Sequence, residues 1–391
     1  MDILFCHDGP INCDELNRYY SFGFNDKLFD RYASIFEKIS IATRVNKDVS
    51  SSKYTEQTRL NTEKYPVLEY PNFLSLHGIF ENKRESTERL KQAISRSDAL
   101  IIRLPSFLGS KCVKLARKYK KPYLIEVVGC PWDSLRNHGF SGKLLAPYLY
   151  FLTKKQVKKA TDVLYVTDEF LQKRYPTKAR TIGCSDVLLD SVDTGIELKP
   201  LKTKHEKLII GTAGVLDVRY KGQEFVIDVV SELTKMGIDA EYRLAGSGTG
   251  EFLRNKAISL GVENKVKFLG LLDRTALDAF YDSLDIYIQP SLTEGMPRAL
   301  IEAMSRGCYC IGTNVGGIPE LVGKEYCFGK GNTEQILRQI LQYYEDKDNA
   351  NRTRCVNRSK DFSAPVLERK RTMFYQTFKN NVDLRRDEEH L

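Results

Sequence analysis

Two glutamates, Glu294 and Glu302, enclose the segment EGMPRALIE, in which a glycine and a proline precede a run of helix-forming residues. Pro297 suits the first turn of a helix, where a missing backbone N–H costs no hydrogen bond. The start of a helix offers unpaired N–H groups and a positive dipole end, which attract anions. Carboxylates there can accept hydrogen bonds from the vicinal hydroxyls of a sugar or a ribose. The segment therefore predicts a site for a phosphorylated sugar, with an ordinary helix carrying solvent-facing glutamates as the equal alternative.

A lysine and a glycine-rich turn upstream could complete such a site. Lys221 lies after a predicted strand, where an ammonium group can neutralise a diphosphate as a point charge. A solvated loop lysine is the alternative. The segment LAGSGTGEF (244–252) contains a G-x-G sequence between a predicted strand and a predicted helix. Such a turn can contact phosphate through its backbone, or it can be a plain tight turn.

Apolar runs typical of β-strands alternate with amphipathic stretches of helix length through most of the 391 residues. This alternation is typical of parallel sheets joined by crossover helices. Ligands of such folds bind at the carboxyl ends of the strands, in the loops that open the helices. We therefore predict two doubly wound α/β domains. The predicted strands are 2–6, 38–44, 98–103, 122–128, 162–166, 207–214, 240–246, 265–270, 285–290, 308–313 and 325–329. The predicted helices are 27–37, 82–96, 109–119, 154–160, 222–237, 249–260, 275–283, one after Glu294, and 365–380.

A polar stretch with Gly and Pro and no clear period separates the two halves and is interpreted as a linker. The sequence therefore predicts a first domain at 1–190, a linker at 191–206 and a second domain at 207–363. The final segment, 364–391, is predicted as a helix that can cross back to the first domain.

Several segments of the second half resemble, in order and spacing, retaining glycosyltransferase family 4. The E-x7-E signature of that family corresponds to 294–302, and GTNVGGIPELV (312–322) follows it. The pieces KG (221–222), LAGSG (244–248) and VKFLG (266–270) precede it. The resemblance covers the whole C-terminal half. It implies the GT-B fold, in which two Rossmann-like domains face each other across a cleft.

The resemblance also implies donor-side roles. Glu294 would contact the hydroxyls of the donor sugar, Glu302 the ribose and Lys221 the diphosphate. Family members usually carry an arginine where this sequence has Val215. The other implied residues are Gly295, Met296 and Pro297 beside the sugar, Arg219 as a second positive charge, Gly246 and Gly248 beside the nucleotide, and Leu271 and Leu272 beside the base.

The N-terminal half resembles the family less, as expected for a domain that binds a different acceptor. Gly9, in HDGPIN (7–12), is predicted in the first strand-to-helix loop, where it would let a ligand approach the backbone closely. Many family members place a histidine where this sequence has Val128. The other acceptor-side candidates are Arg103, Ser106, Glu126, Asp133 and His138. A structural role is the alternative for each of these residues.

The formal net charge of +9 indicates anionic partners, namely nucleotides, lipid phosphates or nucleic acid. Nucleic acid is not expected, because aromatic and basic residues are not interleaved into binding platforms. The stretch 142–160 mixes Leu, Tyr and Phe with four closely spaced lysines, which suits a helix on a membrane surface. A buried helix with one solvated lysine face is the alternative. The nine cysteines form no C-x-x-C pair, which favours free thiols in a reducing cytosol.

The resemblance implies a retaining glycosyltransferase, and no metal or cofactor is expected, because basic groups of the chain already supply positive charge. The enzyme would move a hexose or N-acetylhexosamine from a nucleotide diphosphate sugar to an acceptor hydroxyl, on a lipid-linked glycan of a bacterial surface polysaccharide. No secretory signal or membrane span is predicted, so the expected location is the cytoplasm, at the inner face of the plasma membrane. A non-catalytic nucleotide-sugar-binding scaffold is the alternative, suggested by Val215 and Val128.

Overall fold

The structure is a computed structural model that describes residues 1–21, 23–47, 57–70, 83–135, 139–189, 198, 200–346 and 349–389. The chain forms two compact units. The first comprises Met1–Val166, Leu171–Cys184 and Glu368–Leu391, and the second comprises Thr167–Phe170 and Ser185–Leu367.

In its described residues, the first unit has a nine-stranded sheet whose main part is parallel. Its strands are β1 (Asp2–Cys13), β2 (Tyr19–Ser21), β3 (Lys38–Asn46), β4 (Thr58–Leu60), β5 (Val67–Tyr70), β6 (Ala99–Leu104), β7 (Tyr123–Val127), β8 (Asp162–Tyr165) and β9 (Arg180–Gly183). The parallel strands lie in the order β5-β3-β1-β6-β7-β8-β9, and β2 and β4 add an antiparallel edge beside β1. The order reverses between β1 and β6, which makes their carboxyl ends the switch point of this sheet.

Helices connect the parallel strands of the first unit. They are α1 (Asp26–Ala33), α2 (Lys83–Arg96), α3 (Phe107–Lys118), α4 (Pro131–Leu135), α5 (Gly139–Val157) and α6 (Phe170–Arg174). Ser106 starts α3, because its hydroxyl accepts a hydrogen bond from the Gly109 N–H at 2.7 Å. The last helix, α14 (Ala364–Glu389), has most of its length, Glu368 onwards, in this unit.

The second unit has a six-stranded, fully parallel sheet in the described residues. Its strand order, β12-β11-β10-β13-β14-β15, is the 3-2-1-4-5-6 order of a doubly wound fold. The strands are β10 (Leu208–Ala213), β11 (Ala240–Ala245), β12 (Val266–Gly270), β13 (Ile286–Gln289), β14 (Tyr309–Thr313) and β15 (Cys327–Phe328). The helices are α7 (Gln223–Lys235), α8 (Glu251–Ser259), α9 (Arg274–Ser283), α10 (Arg298–Ser305), α11 (Ile318–Val322), α12 (Thr333–Gln342) and α13 (Ala350–Ser359).

The core of the second unit explains why its pattern was easy to predict. Its strands carry continuous apolar runs, such as Leu208 and Ile210 on β10 and Ile286 and Ile288 on β13, all fully buried. Helices cover both faces of a doubly wound sheet, so its strands read as unbroken apolar segments. The predicted α/β class and its parallel sheets are therefore confirmed.

Two predicted elements of the first unit are wrong. Residues 7–12, predicted as a loop, belong to β1, which passes through an irregularity between His7 and Ile11 and then pairs again with β3 at Val45 and Asn46. A bulge of this kind lets a strand continue through Gly and Pro, which otherwise signal a turn. The bounds of the helix predicted at 154–160 are wrong, because it is the last part of Gly139–Val157, which contains Pro147 and agrees with the helix predicted for 142–160.

Candidate active site

The carboxyl ends of β10 and β13 are neighbours at the switch point of the second sheet. The chain leaves β10 into a loop that closes with a single 3-10 turn, Arg219–Lys221. It leaves β13 into the loop that precedes α10. The two loops are joined directly, because the Leu292 N–H donates to the Tyr220 carbonyl at 2.8 Å. The fold therefore brings together Lys221 and Glu294, which are far apart in the sequence.

Glycines allow these loops to approach closely. Gly222 has φ +71°, and a Cβ there would lie 2.1 Å from the Pro290 carbonyl oxygen. Gly316 has φ +56°, and its Cβ would lie 2.2 Å from the Glu294 carbonyl oxygen. The Gly317 N–H donates to the Gly295 carbonyl at 2.8 Å. The loop that carries Glu294 and Gly295 is thus held from both sides by backbone that only glycine can provide.

Lys221 and Glu294 form the centre of the site. The Lys221 Nζ lies 2.6 Å from the Glu294 Oε1, and the two side chains are 21% and 12% exposed. The same carboxylate oxygen accepts hydrogen bonds from the Ser291 hydroxyl at 2.8 Å and from the Gln289 Nε2 at 3.2 Å. A cation and a carboxylate are therefore adjacent and still reachable from solvent. Such a pair can bind an anion and a hydroxyl group side by side.

A series of buried, hydrogen-bonded polar side chains holds the Glu294 carboxylate in place. The Tyr287 hydroxyl donates to the Gln289 Oε1, and the Gln289 Nε2 donates to the Ser291 hydroxyl, each at 2.9 Å. Gln289 and Ser291 are almost completely buried. Burial raises the pKa of Tyr287 well above its ordinary value, which keeps its hydroxyl a donor. The sequence reasoning missed these three residues; the polar QPS (289–291) after the apolar run DIYI marks Gln289 and Ser291 but does not show their buried partners.

Glu302 lies on α10 and is almost fully buried, unlike Glu294. Its Oε1 accepts from the Arg274 Nη1 at 3.0 Å, and its Oε2 accepts from the Tyr281 hydroxyl at 2.9 Å. Both partners belong to α9, so the structure ties Glu302 to that helix. Burial raises the pKa of Tyr281, which therefore stays protonated as a donor. The predicted contact of Glu302 with a ribose stays a prediction.

The glycine-rich turn after β11 is used for internal packing. Gly246 has φ +146°, and a Cβ there would lie 1.9 Å from the Gly214 carbonyl oxygen. Gly248 has φ +107°, and its Cβ would lie 2.6 Å from the Asp217 carboxylate. That carboxylate accepts from the N–H groups of Gly250 at 2.8 Å and Thr249 at 3.1 Å, and these bonds lower the pKa of Asp217. The nucleotide contacts predicted for Gly246 and Gly248 stay predictions.

The remaining donor-side candidates lie on the same side of the second unit. Arg219 pairs with Glu224 at 3.2 Å and lies over the Phe252 ring, with its guanidinium carbon 4.7 Å from the ring centre. Leu271 is 74% exposed after β12, and Leu272 follows it. Met296 packs against Gly317, and Pro297 immediately precedes α10. No described contact joins these residues to Lys221 and Glu294, so their roles stay predictions.

On the acceptor side, the structure gives two candidates internal contacts. A Cβ on Gly9 would lie 1.9 Å from the Phe24 ring, so the absent side chain makes room for an aromatic packing contact. The Arg103 Nε lies 3.2 Å from the buried Glu126 carboxylate. That carboxylate also accepts from the hydroxyls of Tyr32 and Tyr375.

Asp133 on α4 pairs with Arg174 at 3.2 Å, and His138 lies outside the described residues. The sequence reasoning did not select Asp8, which the structure places at the switch point of the first sheet. Its carboxylate accepts from the N–H groups of Phe107 and Leu108 at the start of α3. Burial raises the pKa of Asp8 in spite of these hydrogen bonds. An acidic residue two positions beyond the predicted strand 2–6 was the signal that could have identified it.

The two parallel sheets and the Lys221–Glu294 pair at the switch point of the second sheet define a two-unit α/β protein with a solvent-reachable pair of opposite charges. Residues 194–362 match the family model described as Glycosyl transferases group 1. The chain is 35% identical over 356 residues to "Protein CapJ" of Staphylococcus aureus, with 88% of each chain covered. The chain therefore belongs to the glycosyl transferases group 1 family, which confirms the predicted resemblance.

Other comparisons agree with this assignment. The "Amylovoran biosynthesis glycosyltransferase AmsK" of Erwinia amylovora is 30% identical over 180 residues, which cover 42% of this chain and 44% of that one. The crystal structure of Anabaena HepE in complex with UDP matches with a TM-score of 0.63 at 16% identity, over 98% of this chain and all of that one. The predicted GT-B fold is therefore confirmed.

Proposed function

We propose that the chain transfers a hexose or an N-acetylhexosamine from a nucleotide diphosphate sugar to an acceptor hydroxyl, with retention of configuration. The observation that supports this most strongly is the Lys221–Glu294 pair at the switch point of the second sheet. The ammonium group matches a diphosphate, and the carboxylate matches sugar hydroxyls. UDP, bound by the structural neighbour HepE, is the first nucleotide to try.

The pairing of Lys221 with Glu294 suggests an order of binding. The diphosphate would compete with Glu294 for the Lys221 ammonium group, and this competition would free the carboxylate for the sugar hydroxyls. Ser291 and Gln289 would keep the released carboxylate in place through their hydrogen bonds. The site would therefore be assembled by the donor itself.

In the proposed reaction, the bond between the sugar carbon and the diphosphate oxygen breaks as the acceptor oxygen bonds to that carbon from the same face. The departing diphosphate oxygen takes the acceptor proton. The protein would contribute orientation and stabilise the negative charge on the diphosphate, through Lys221 and the start of α10. No cofactor or metal is needed in this scheme, because the charge is neutralised by the chain.

The proposed acceptor is a lipid-linked glycan used in a bacterial surface polysaccharide, handled at the cytoplasmic face of the membrane. The name of the relative AmsK, an amylovoran biosynthesis glycosyltransferase, supports this choice of pathway class. The N-terminal unit, which resembles the family less in sequence, would bind this acceptor.

A turnover assay tests the proposal. The purified chain is incubated with one nucleotide diphosphate sugar at a time and a lipid extract from a polysaccharide-producing bacterium, and release of the nucleoside diphosphate is measured. We expect turnover with one donor, an unchanged anomeric configuration in the product by NMR, and no loss on adding a chelator. Glu294→Gln should abolish turnover. Inversion of configuration or inhibition by the chelator would refute the corresponding part of the proposal.

A catalytically impaired scaffold is the second candidate, and one residue favours it. Val215 is 41% exposed at the position where the resemblance implies an arginine. In that case the chain would bind a nucleotide sugar without consuming it under any acceptor condition. Val215→Arg would then be expected to raise turnover, whereas an active wild-type chain would exclude the scaffold.

A further inference from the structure

One face of α5 in the first unit exposes three large apolar side chains. Leu144, Tyr148 and Phe151 are 68%, 60% and 63% exposed. Their spacing of four and three residues places them within roughly 60° of one another around the helix axis. Single exposed apolar residues are normal on a protein surface, but three in a row on one helix face indicate a binding surface.

Lysines follow these apolar side chains at the C-terminal end of α5. By helical spacing, Lys155 follows the apolar stripe formed by Leu144, Tyr148 and Phe151. Lys158 and Lys159 lie just beyond the last turn of α5. All three are exposed. A helix with aromatic and aliphatic residues followed by lysines matches a segment that lies in the interface of a bilayer.

The neighbouring helix α3 extends the positive charge. The two helices are joined through Ser110 and Gln156, because the Ser110 hydroxyl donates to the Gln156 Oε1 at 3.1 Å and the Gln156 Nε2 donates to the Ser110 carbonyl at 3.0 Å. Residues 107–121 and 139–160 together contain eleven lysines and arginines and no acidic residue, whereas the whole chain has a net charge of +9. The excess positive charge of the protein is therefore concentrated in these two helical segments and their ends.

We propose that this surface, formed by α5 and the basic end of α3, docks onto an anionic lipid bilayer. Leu144, Tyr148 and Phe151 would enter the boundary between headgroups and acyl chains, and the lysines would contact lipid phosphates. A second copy of the chain is a poor occupant, because two such basic surfaces repel each other. No helix in the described residues combines the length and hydropathy needed to span a bilayer.

Vesicle sedimentation with the full chain, without any nucleotide, tests whether the lysines of this surface contribute to bilayer binding. We expect binding to phosphatidylglycerol-containing vesicles and little binding to pure phosphatidylcholine. The variant K155Q/K158Q/K159Q should partition ~100-fold more weakly, at about 1 kcal/mol for each lysine near the surface. The control K267Q/K324Q/K330Q removes three exposed lysines of the second unit and should bind like the wild type. Equal effects of the two triple variants would overturn the proposal.

A second variant tests the apolar stripe. L144S/Y148S/F151S should lose vesicle binding while its circular dichroism stays unchanged, because these side chains are exposed. The control M373S/L384S changes two side chains that are 63% and 62% exposed on α14, and it should bind normally. If the wild type is instead a dimer in solution and L144S/Y148S/F151S is a monomer, the surface joins two copies and the bilayer proposal is wrong. Because donor is absent, these outcomes are independent of the proposed transferase activity.

Discussion

At the scale of single residues, the proposed function rests mainly on the pairing of Lys221 with Glu294. Their separate roles followed from the resemblance, but the sequence alone placed them 73 residues apart, and only the β10–β13 neighbourhood brings them together. The supporting residues Tyr287, Gln289 and Ser291 could not be predicted in the same way. A polar residue at the end of an apolar strand shows its purpose only when its buried partners are known.

Lys221→Ala is expected to lower kcat by about 10²–10³-fold, the usual cost of removing one group that stabilises charge in the transition state. The fold should persist, because Ser291 and Gln289 still donate to Glu294. Steady-state kinetics with the active donor measure the effect, beside Lys267→Ala as a control. A kcat within a few-fold of the wild type would contradict the role of Lys221.

Gln289→Met keeps the shape of the side chain and removes its hydrogen bonds to Glu294 and Tyr287. The Tyr287 hydroxyl would lose its buried acceptor, so the free energy of unfolding should fall by about 1–3 kcal/mol. A displaced Glu294 should reduce kcat/KM by up to ~100-fold. Urea unfolding and kinetics measure both effects, and Gln289→Glu, which keeps an acceptor for Tyr287, separates them. Unchanged kinetics in Gln289→Met would mean that Gln289 has only a structural role.

At the scale of elements, the second unit was predicted well and the first less so. The strand predicted at 207–214 is Leu208–Ala213, and the helix predicted at 222–237 is Gln223–Lys235. Both follow from strong periodicity and from glycines that end or begin a helix. The extension of β1 through residues 7–12 had no such signal, because a bulge depends on a partner strand that is distant in the sequence.

Two glycines with similar backbone angles allow a controlled test of the loop contact. Gly222 (φ +71°) has the Pro290 carbonyl where a Cβ would lie, whereas Gly237 (φ +76°) has nothing within 4 Å of that position. Gly237→Ala should cost only about 1–2 kcal/mol of backbone strain. Gly222→Ala should lower the free energy of unfolding clearly more, because its Cβ would clash with the Pro290 carbonyl. It should also weaken binding of the nucleotide, because the loop that carries Lys221 must move. Thermal unfolding and nucleotide titration check this pair; equal losses in both variants would contradict the loop contact.

At the scale of the whole molecule, the two ends of the chain lie in one compact unit. The end of the chain, Glu368–Leu391, belongs to the same compact unit as the first residues. The contact is specific, since the Tyr375 hydroxyl on α14 donates to the buried Glu126 carboxylate at 2.5 Å. Glu126 also faces Arg103, 3.2 Å away, so a buried charge is satisfied by groups from distant parts of the chain. Sequence pattern alone gives the helix but not this carboxylate partner.

Tyr375→Phe removes that hydrogen bond and leaves the ring in place. We expect the free energy of unfolding to fall by about 1–3 kcal/mol, because a buried carboxylate loses one of its donors. Urea denaturation measures the change, with Tyr119→Phe on an exposed ring as the control. A loss no greater than that of Tyr119→Phe would show that the Glu126 cluster does not depend on the final helix.

The most direct test of a donor site at Lys221 and Glu294 is calorimetric titration of the purified chain with UDP, GDP and ADP, each repeated on Lys221→Ala and Lys267→Ala. We expect micromolar binding of one nucleotide, at least 10-fold weaker in Lys221→Ala, which corresponds to about 1.4 kcal/mol, and unchanged in Lys267→Ala. Binding that is equally strong in Lys221→Ala, or no binding of any of the three, would contradict a donor site at Lys221 and Glu294.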